Sequence, residues 1–176
     1  MGATIIAISG KSGCGNTTVS KLVSEALGWR LVNYTFRSLA QEKGMALEEV
    51  LALAESDVSW DRTIDTKQVE LARSGDCVIG SRLAIWLLPD AALKVYLKAS
   101  PATRVERIHE REGGDKGAIA QFTRERDAKD HKRYLETYGI DTDDISHANL
   151  VIDTELWDAP EIAQLIVSAF RSRRVE

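Results

Sequence analysis

The sequence is poor in cysteine and proline and contains no long apolar run. Its two cysteines, Cys14 and Cys77, are too few for a disulfide framework and lack the spacing of a metal site. No apolar run reaches the roughly 18 residues that suggest a membrane-spanning helix, and no basic segment followed by a long apolar run indicates a signal peptide. We therefore expect a protein of the reducing cytoplasm that does not bind a membrane.

A strong excess of one charge is also absent. The 176 residues include 23 Lys and Arg against 27 Asp and Glu, a net charge of −4, so the balance does not favour a nucleic-acid polymer as partner. Three scattered histidines show no zinc or haem motif. The hydrophobic content of 44% is ordinary for a globular protein, and residues 1–176 suffice for one domain with a substantial core.

A glycine-rich stretch near the start of the chain has the spacing of a nucleotide-phosphate loop. The apolar run 4–9 predicts a buried strand and residues 17–27 predict a helix, with glycines at 10 and 15 and a threonine at 17 in the loop pattern. Glycines let backbone N–H groups approach an anion, and the positive end of the following helix adds to the attraction. The residues expected to contact phosphates are Gly10, Ser12, Gly13, Cys14, Gly15, Asn16, Thr17 and Thr18.

One position of this loop departs from the usual pattern. The lysine that normally precedes the threonine is Asn16, so the loop lacks its flexible cation on the β- and γ-phosphates. Lys11, inside the loop, is the nearest possible substitute, and the Thr17 hydroxyl retains the position that binds Mg²⁺. The alternative interpretation is a strand-to-helix turn that binds no ligand.

Strand-like and helix-like segments alternate along the rest of the chain. This order predicts an α/β fold with a mainly parallel sheet and right-handed crossovers. Ligands of such sheets bind at the carboxyl ends of the strands, where the glycine loop, Arg37 and Arg82 are expected. Further strands are predicted over residues 29–34, 77–79, 92–97 and 149–153, and helices over residues 36–43, 47–55, 57–73, 101–112, 118–138 and 160–171.

Several arginines could hold a second phosphate. Arg37 and Arg82 would do so if their guanidinium groups converged on one cleft, and otherwise they are surface residues. Residues 104–133 hold nine Lys and Arg interleaved with seven acidic residues, and Arg126, Asp130 and Arg133 fall on one helix face. This segment is either a solvated helix or a mobile lid whose arginines neutralise charge on a transferring phosphoryl group.

Polar residues also share one face of the helix predicted over residues 57–73. Asp61 and Asp65 lie four residues apart, with Gln68 on the same face. A carboxylate and an amide there could read the edge of a nucleobase. Such residues are otherwise solvated, or pair locally with Arg62 or Lys67.

Taken together, these segments resemble the cytidylate (CMP) kinases, in particular the short form typical of archaea and some bacteria. The resemblance covers nearly the whole chain, and the string Arg126-Asp127-xx-Asp130-xx-Arg133 is its most specific motif. The other motifs are the loop over residues 10–18, Phe36-Arg37, Asp61-Arg62-xx-Asp65, Ser81-Arg82-Leu83-Ala84 followed by Trp86, and Tyr138-Gly139-Ile140-Asp141.

The resemblance implies a P-loop NTPase fold, a three-layer α/β/α structure with a five-stranded parallel sheet. It further implies a core over residues 1–34, 74–112 and 148–176, a helical insert that binds the nucleoside monophosphate over about 35–73, and a lid over about 113–135. The implied activity is transfer of the γ-phosphoryl group of ATP to CMP or dCMP with Mg²⁺. The implied partners are these small nucleotides, and the implied state is a monomer.

Residue roles follow by position from the same resemblance. Arg37, Arg82 and Arg133 would bind the CMP phosphate. Arg126 would lie between donor and acceptor, and Asp130 would orient the acceptor nucleotide. Arg107 or Arg104 would lie against the donor adenine. Lys11, Arg126 and Arg133 are the residues expected to act in catalysis, with Asp61 and Asp65 in substrate binding.

Two departures keep other functions open. Besides Asn16, the third strand ends Ile79-Gly80-Ser81, with no acidic residue to hold the water shell of Mg²⁺. The first hypothesis is a CMP kinase with an altered donor site. The second is a nucleotide-binding sensor or regulatory module that has lost phosphoryl transfer. A kinase for another small acceptor such as shikimate would leave the Asp61 to Gln68 helix without a role.

Overall fold

The run Ile5–Gly10 forms the central strand, β1, of a five-stranded parallel sheet in a computed structural model that describes residues 2–173, apart from the Glu55 side chain. All six of its residues are buried, as its continuous apolar sequence predicts for a strand covered on both faces. The sheet order is β2-β3-β1-β4-β5. The other strands are β2 (Arg30–Val32), β3 (Cys77–Gly80), β4 (Leu93–Lys98) and β5 (Leu150–Asp153).

Helices connect the strands, and several begin and end at the residues that the sequence predicts. Ser100 accepts a hydrogen bond from the Thr103 N–H, with Pro101 as the first helical residue. Gly28 and Gly139 end their helices in the left-handed conformation. The helices are α1 (Asn16–Leu27), α2 (Phe36–Lys43), α3 (Leu47–Ser56), α4 (Ser59–Arg73), α5 (Ala84–Leu87), α6 (Pro101–Glu112), α7 (Lys116–Tyr138) and α8 (Ala159–Ser172).

Two apolar clusters cover the two faces of the sheet. Ile6 and Ile8 of β1 pack with residues of α1 and α8 on one face. Ile5 and Ala7, which alternate with them, pack on the other face with residues of α4 and α5. The predicted α/β fold with a three-layer arrangement and a five-stranded parallel sheet is therefore confirmed.

A third apolar cluster lies away from the sheet. Tyr34, Leu39, Val50 and Ile64 are buried in it and join α2, α3 and α4. It belongs to the segment that the resemblance assigns to the monophosphate-binding insert. This small apolar core packs α2, α3 and α4 against one another and so stabilises the segment.

Most element boundaries differ from the sequence predictions by one or two residues, and three differences have a particular reason. Strand β2 has three residues rather than six because it is an edge strand that pairs only with β3. Helix α5 was not predicted, since four residues carry too little periodicity. Helix α7 begins two residues early, at Lys116, because Asp115 caps it through the Ala118 N–H. No helix within residues 2–173 is long and apolar enough to cross a membrane.

Candidate active site

A cavity of about 800 Å³ opens at the carboxyl ends of β1 and β3. The glycine loop forms one wall, and residues of α4, α6 and α7 form the others. The predicted site residues that line it are Gly10, Lys11, Ser12, Gly13, Cys14, Gly15, Asn16, Thr17, Thr18, Asp61, Asp65, Arg82, Arg107, Arg126 and Arg133. The fold thus gathers residues that are up to 123 positions apart (133 − 10) around one volume.

The glycine loop has the backbone geometry of an anion cradle. Gly13 and Gly15 have φ angles of 85° and 95°, a region that L side chains rarely adopt. A Cβ at Gly10 would lie 2.5 Å from the Leu97 carbonyl oxygen, so this position has no room for a side chain. No side chain within residues 2–173 caps the start of α1, which leaves its first N–H groups for a ligand.

Asn16 turns back into the loop. Its Nδ2 donates a hydrogen bond to the Gly10 carbonyl oxygen at 2.6 Å. Its buried Oδ1 has no hydrogen-bond partner in the part of the chain that the structure describes. Asn16 therefore braces the two ends of the loop and supplies no positive charge to a phosphate.

Lys11 is the lysine that lies within the glycine loop itself. It lines the cavity, and its Nζ lies 2.9 Å from Oδ1 of Asp143, in the segment between α7 and β5. The hydrogen bond from Lys11 lowers the pKa of the Asp143 carboxyl. Both side chains are more than one-third exposed, so the ion pair is weak and the ammonium can leave it for a phosphate.

Asp143 was not among the predicted site residues. Its carboxylate also faces His131, whose Nδ1 lies 3.8 Å from Oδ2. The only sequence signal was its place two residues after the Tyr138-Gly139-Ile140-Asp141 motif. Nothing in a linear motif indicates that this segment reaches the glycine loop.

The end of β3 shows why an acidic residue is missing there. A Cβ at Gly80 would lie 2.3 Å from Oγ and 2.9 Å from Cβ of Ser20 on α1, so a side chain at this position would require Ser20 to move. Thr17, the predicted ligand of Mg²⁺, lines the cavity in the first turn of α1. The donor set for a metal is therefore a hydroxyl without a strand carboxylate beside it.

Two arginines of α6 have different surroundings. Arg104 is only 4% exposed, and its guanidinium is occupied by Ser12 and Asp127. Arg107 lines the cavity, where it donates to the hydroxyl and carbonyl oxygens of Thr154 at 2.8 and 2.6 Å. Of the two arginines considered for the donor base, only Arg107 therefore faces the cavity. Arg111 and Trp157 also line it and were not predicted.

The Asp130 carboxylate joins two of the arginines that line the cavity. Asp130 accepts from Arg82 at 2.7 Å through one oxygen and from Arg133 at 2.9 Å through the other. Asp61 lies 3.5 Å from the Arg133 guanidinium. Partial burial and the neighbouring Arg82 cation lower the pKa of Arg126. The arrangement concentrates positive charge where an anion would be stabilised.

The structure does not bring every predicted residue to the large cavity. Asp130 lies behind Arg82 and lines a smaller cavity of about 30 Å³ beside it. Arg37 is exposed on α2 and does not belong to the described residues that line the large cavity. Arg82 and Arg133 therefore meet at this wall without Arg37.

The polar face of α4 is directed into the cavity rather than into solvent. Asp61 and Gln68 are buried, and the Gln68 amide donates to the Tyr34 carbonyl oxygen at 2.6 Å. Its buried Oε1 lacks a hydrogen-bond partner among residues 2–173. Burial raises the pKa of Asp65 to about 6, although the Tyr138 hydroxyl donates to its carboxylate at 2.6 Å. This wall therefore holds one unpartnered buried amide oxygen and one carboxyl that already accepts a hydrogen bond.

Comparison with known proteins shows which family the chain is similar to. The model of the cytidylate kinase-like family matches residues 5–156. The chain is 41% identical to "Cytidylate kinase 2" of Borreliella afzelii over 97% of this chain and 98% of the relative. It is 40% identical to "Cytidylate kinase" of Methanocaldococcus jannaschii over 94% of this chain and 96% of the relative.

Solved structures of kinases share the fold at low sequence identity. Shikimate kinase from Acinetobacter baumannii has a TM-score of 0.65 with 18% identity, covering 99% of this chain and 96% of that one. Deoxyadenosine kinase from M. mycoides has a TM-score of 0.60 with 17% identity, covering 96% and 100%. At these identities the likeness concerns the fold alone.

Proposed function

The chain belongs to the cytidylate kinase-like family and is a kinase, and we propose that it transfers the γ-phosphoryl group of ATP to CMP or dCMP. One observation carries the proposal. A backbone cradle for a polyphosphate and a set of arginines suited to a monophosphate line the same cavity. Two anion sites across one volume are what transfer between two nucleotides requires.

On the donor side, the loop N–H groups and the start of α1 would hold the β- and γ-phosphates of ATP. Lys11 would leave the exposed Asp143 carboxylate and replace the cation that Asn16 does not supply. Arg107 would lie against the adenine. Mg²⁺, held on the phosphates by the Thr17 hydroxyl, would neutralise part of their negative charge.

On the acceptor side, Arg82 and Arg133 would bind the CMP phosphate, with Asp130 holding both guanidinium groups in place. The cytosine edge would meet α4. The free Oε1 of Gln68 and the Asp65 carboxyl are groups that could accept from an exocyclic amino group.

In the transfer itself, an oxygen of the CMP phosphate attacks the γ-phosphorus. The new P–O bond forms as the bond from the γ-phosphorus to the bridging oxygen breaks, and ADP leaves with that oxygen. Arg126, Arg133 and Lys11 would stabilise the charge on the transferred group. We further propose that residues 35–73 act as the monophosphate-binding insert and residues 113–135 as a lid that excludes water.

A coupled assay with ATP, Mg²⁺ and CMP, dCMP, UMP or AMP tests this function. We expect a diphosphate from CMP or dCMP. The absence of any diphosphate at high enzyme concentration would contradict the proposal.

A nucleotide-binding sensor is the second candidate, favoured by Asn16 and by the lack of a carboxylate at Gly80 and Ser81, where β3 ends. Calorimetry separates the two functions. Binding of CMP and ATP without turnover would support the sensor, whereas turnover above the uncatalysed rate would exclude it. A kinase for shikimate is less well supported, because it leaves the buried polar face of α4 without a ligand.

A further inference from the structure

The Arg104 guanidinium connects the glycine loop to α7. Its Nε donates to the Ser12 carbonyl oxygen at 2.6 Å, and its two terminal nitrogens donate to the Asp127 carboxylate at 2.7 and 3.0 Å. The side chain of Arg104 is 5% exposed and that of Asp127 22%. A bidentate, charge-assisted pair with so little exposure has a well-defined geometry.

The loop also packs directly against the backbone of α6 at this residue. A Cβ at Gly13 would lie 3.0 Å from both the Cβ and the carbonyl oxygen of Arg104. Ser12 and Gly13 therefore cannot move independently of Arg104. A movement of the loop that accompanies phosphate binding would therefore displace the Arg104 side chain.

Helix α7 carries the other end of the connection to the acceptor wall. Asp127 follows Arg126, which lines the cavity, and precedes by one helical turn Asp130, which binds Arg82 and Arg133. One helix is thus linked to the donor loop through the Asp127–Arg104 pair and to the acceptor arginines through Asp130. These two contacts are on the same rigid element.

We propose that Asp127 is a positioning residue that acts through Arg104 to couple the donor loop to the acceptor arginines. Each nucleotide then raises the affinity of the protein for the other, because both fix the position of α7. The inference rests on the proposed function, since it requires that ATP and CMP both bind. Asp127 itself contacts neither nucleotide.

Calorimetric titration of CMP, with and without a non-hydrolysable ATP analogue and Mg²⁺, measures this coupling. For the unmodified protein we expect the analogue to tighten CMP binding by about fivefold or more. For Asp127→Asn, which keeps the shape but removes the charge, we expect the ratio of the two dissociation constants to fall to about one. This ratio is insensitive to a loss of active protein, so a merely structural role would not change it.

Glu106→Gln is the matched control. Glu106 of α6 also pairs with α7, through Lys116 at 2.6 Å, but it does not contact the loop. This variant should keep the ratio of the unmodified protein. Should Asp127→Asn fail to fold, Asp127→Glu retains the charge but displaces the carboxylate by one methylene, and the same loss of coupling is expected.

The outcomes distinguish this inference from the proposed function. An unmodified protein that binds neither nucleotide would overturn both. A protein that binds both nucleotides with a ratio of one would overturn the coupling alone. An Asp127 variant that folds and keeps the full ratio would also overturn the role of Asp127.

Discussion

The wall proposed to bind the donor, formed by the glycine loop, differs in construction from the wall proposed to bind the acceptor, which carries Arg82 and Arg133. The donor wall is mostly backbone, with Asn16 bracing the loop and Lys11 held on an exposed carboxylate. On the acceptor wall, Asp130 fixes the guanidinium groups of Arg82 and Arg133 from behind. The donor wall depends on loop geometry and one loosely held cation, whereas the acceptor wall has its cations already in place.

This difference has a consequence for catalysis. Groups that are held in position before the reaction stabilise developing charge without further reorganisation, and such stabilisation is a large part of enzymatic rate enhancement. The acceptor arginines meet this condition. Lys11 does not, because it must first leave Asp143. We therefore expect substitution of Arg82 to weaken binding of the acceptor, and substitution of Arg126 or Lys11 to slow the transfer step.

The largest effect is expected at Arg126. Removing its charge while keeping its bulk, in Arg126→Met, should lower kcat by about 100- to 1,000-fold, as loss of one charge-stabilising donor does elsewhere. Steady-state kinetics with ATP and CMP measures this change. Arg124→Met is the control, since Arg124 lies on the same helix but is not among the described residues that line the cavity, and it should leave kcat unchanged. Equal effects of both substitutions would show that Arg126 acts only through the net charge of α7.

The next effect is expected at Lys11. Lys11→Ala should lower kcat by roughly 100-fold if this lysine supplies the cation that Asn16 does not. Lys21→Ala removes another lysine close to the loop, on the exposed face of α1, and should have no effect. Asn16→Lys should raise the activity or leave it unharmed. Full activity in Lys11→Ala would mean that the donor wall works by its backbone alone.

The sequence was sufficient for the fold because its signals are local. The continuous apolar run of β1 and the caps at Ser100 and Gly139 identify elements without tertiary information. Within the site, the glycine loop could be predicted for the same reason. Its spacing alone dictates where the backbone turns.

The remaining parts of the site depend on contacts that no local pattern contains. The sequence does not distinguish Gln68 from an exposed residue of α4. In the structure it is buried, and its amide donates to the Tyr34 carbonyl oxygen, 34 positions earlier in the chain. Asp143 reaches Lys11 across 132 positions. The occupied guanidinium of Arg104 likewise follows from packing of α6 against the loop. Side-chain direction at such positions is set by tertiary packing.

A moderate effect, with opposite signs for binding and stability, is expected at Asp65. Burial raises its pKa in the folded protein to about 6, well above its ordinary value near 4, so folding favours the protonated form. The native state is therefore weakened as the pH rises from about 4 through 6 and the carboxylate ionises. Asp65→Asn removes this ionisation and should stabilise the protein more at pH 8 than at pH 5, by about 1 kcal/mol.

Thermal unfolding of both proteins at pH 5 and pH 8 measures the difference in stability. The same substitution should raise the KM for CMP about tenfold, corresponding to one lost hydrogen bond to a charged group. Tyr138→Phe is the companion variant, because it removes the hydroxyl on Asp65 while leaving the carboxylate in place. A stabilising effect of Asp65→Asn that does not depend on pH would show that the pKa of Asp65 is the same in the folded and the unfolded protein.

The smallest effect is expected at Arg37, and it tests whether the acceptor wall is complete in the structure. Arg37 is exposed on α2, whereas Arg82 is held on the cavity wall by Asp130. Arg82→Ala should raise the KM for CMP at least tenfold, because it removes a charged hydrogen-bond donor to the phosphate. Arg37→Ala should raise it by no more than about threefold if α2 keeps its position, since a solvent-exposed charge contributes little to binding.

Measuring the dissociation constants of CMP and of cytidine, which lacks the phosphate, for both variants separates the effect of charge from the effect of position. A loss confined to CMP indicates contact with the phosphate, and a loss for both ligands indicates a change in the insert. If Arg37→Ala matched Arg82→Ala for CMP alone, α2 would have to swing its arginine onto the phosphate when the nucleotide binds. Arg37 on the acceptor wall would then resemble Lys11 on the donor wall, because each would reach its phosphate only when the ligand binds. Arg82 and Arg133 alone would then be the cations that distinguish the acceptor wall by being in place beforehand.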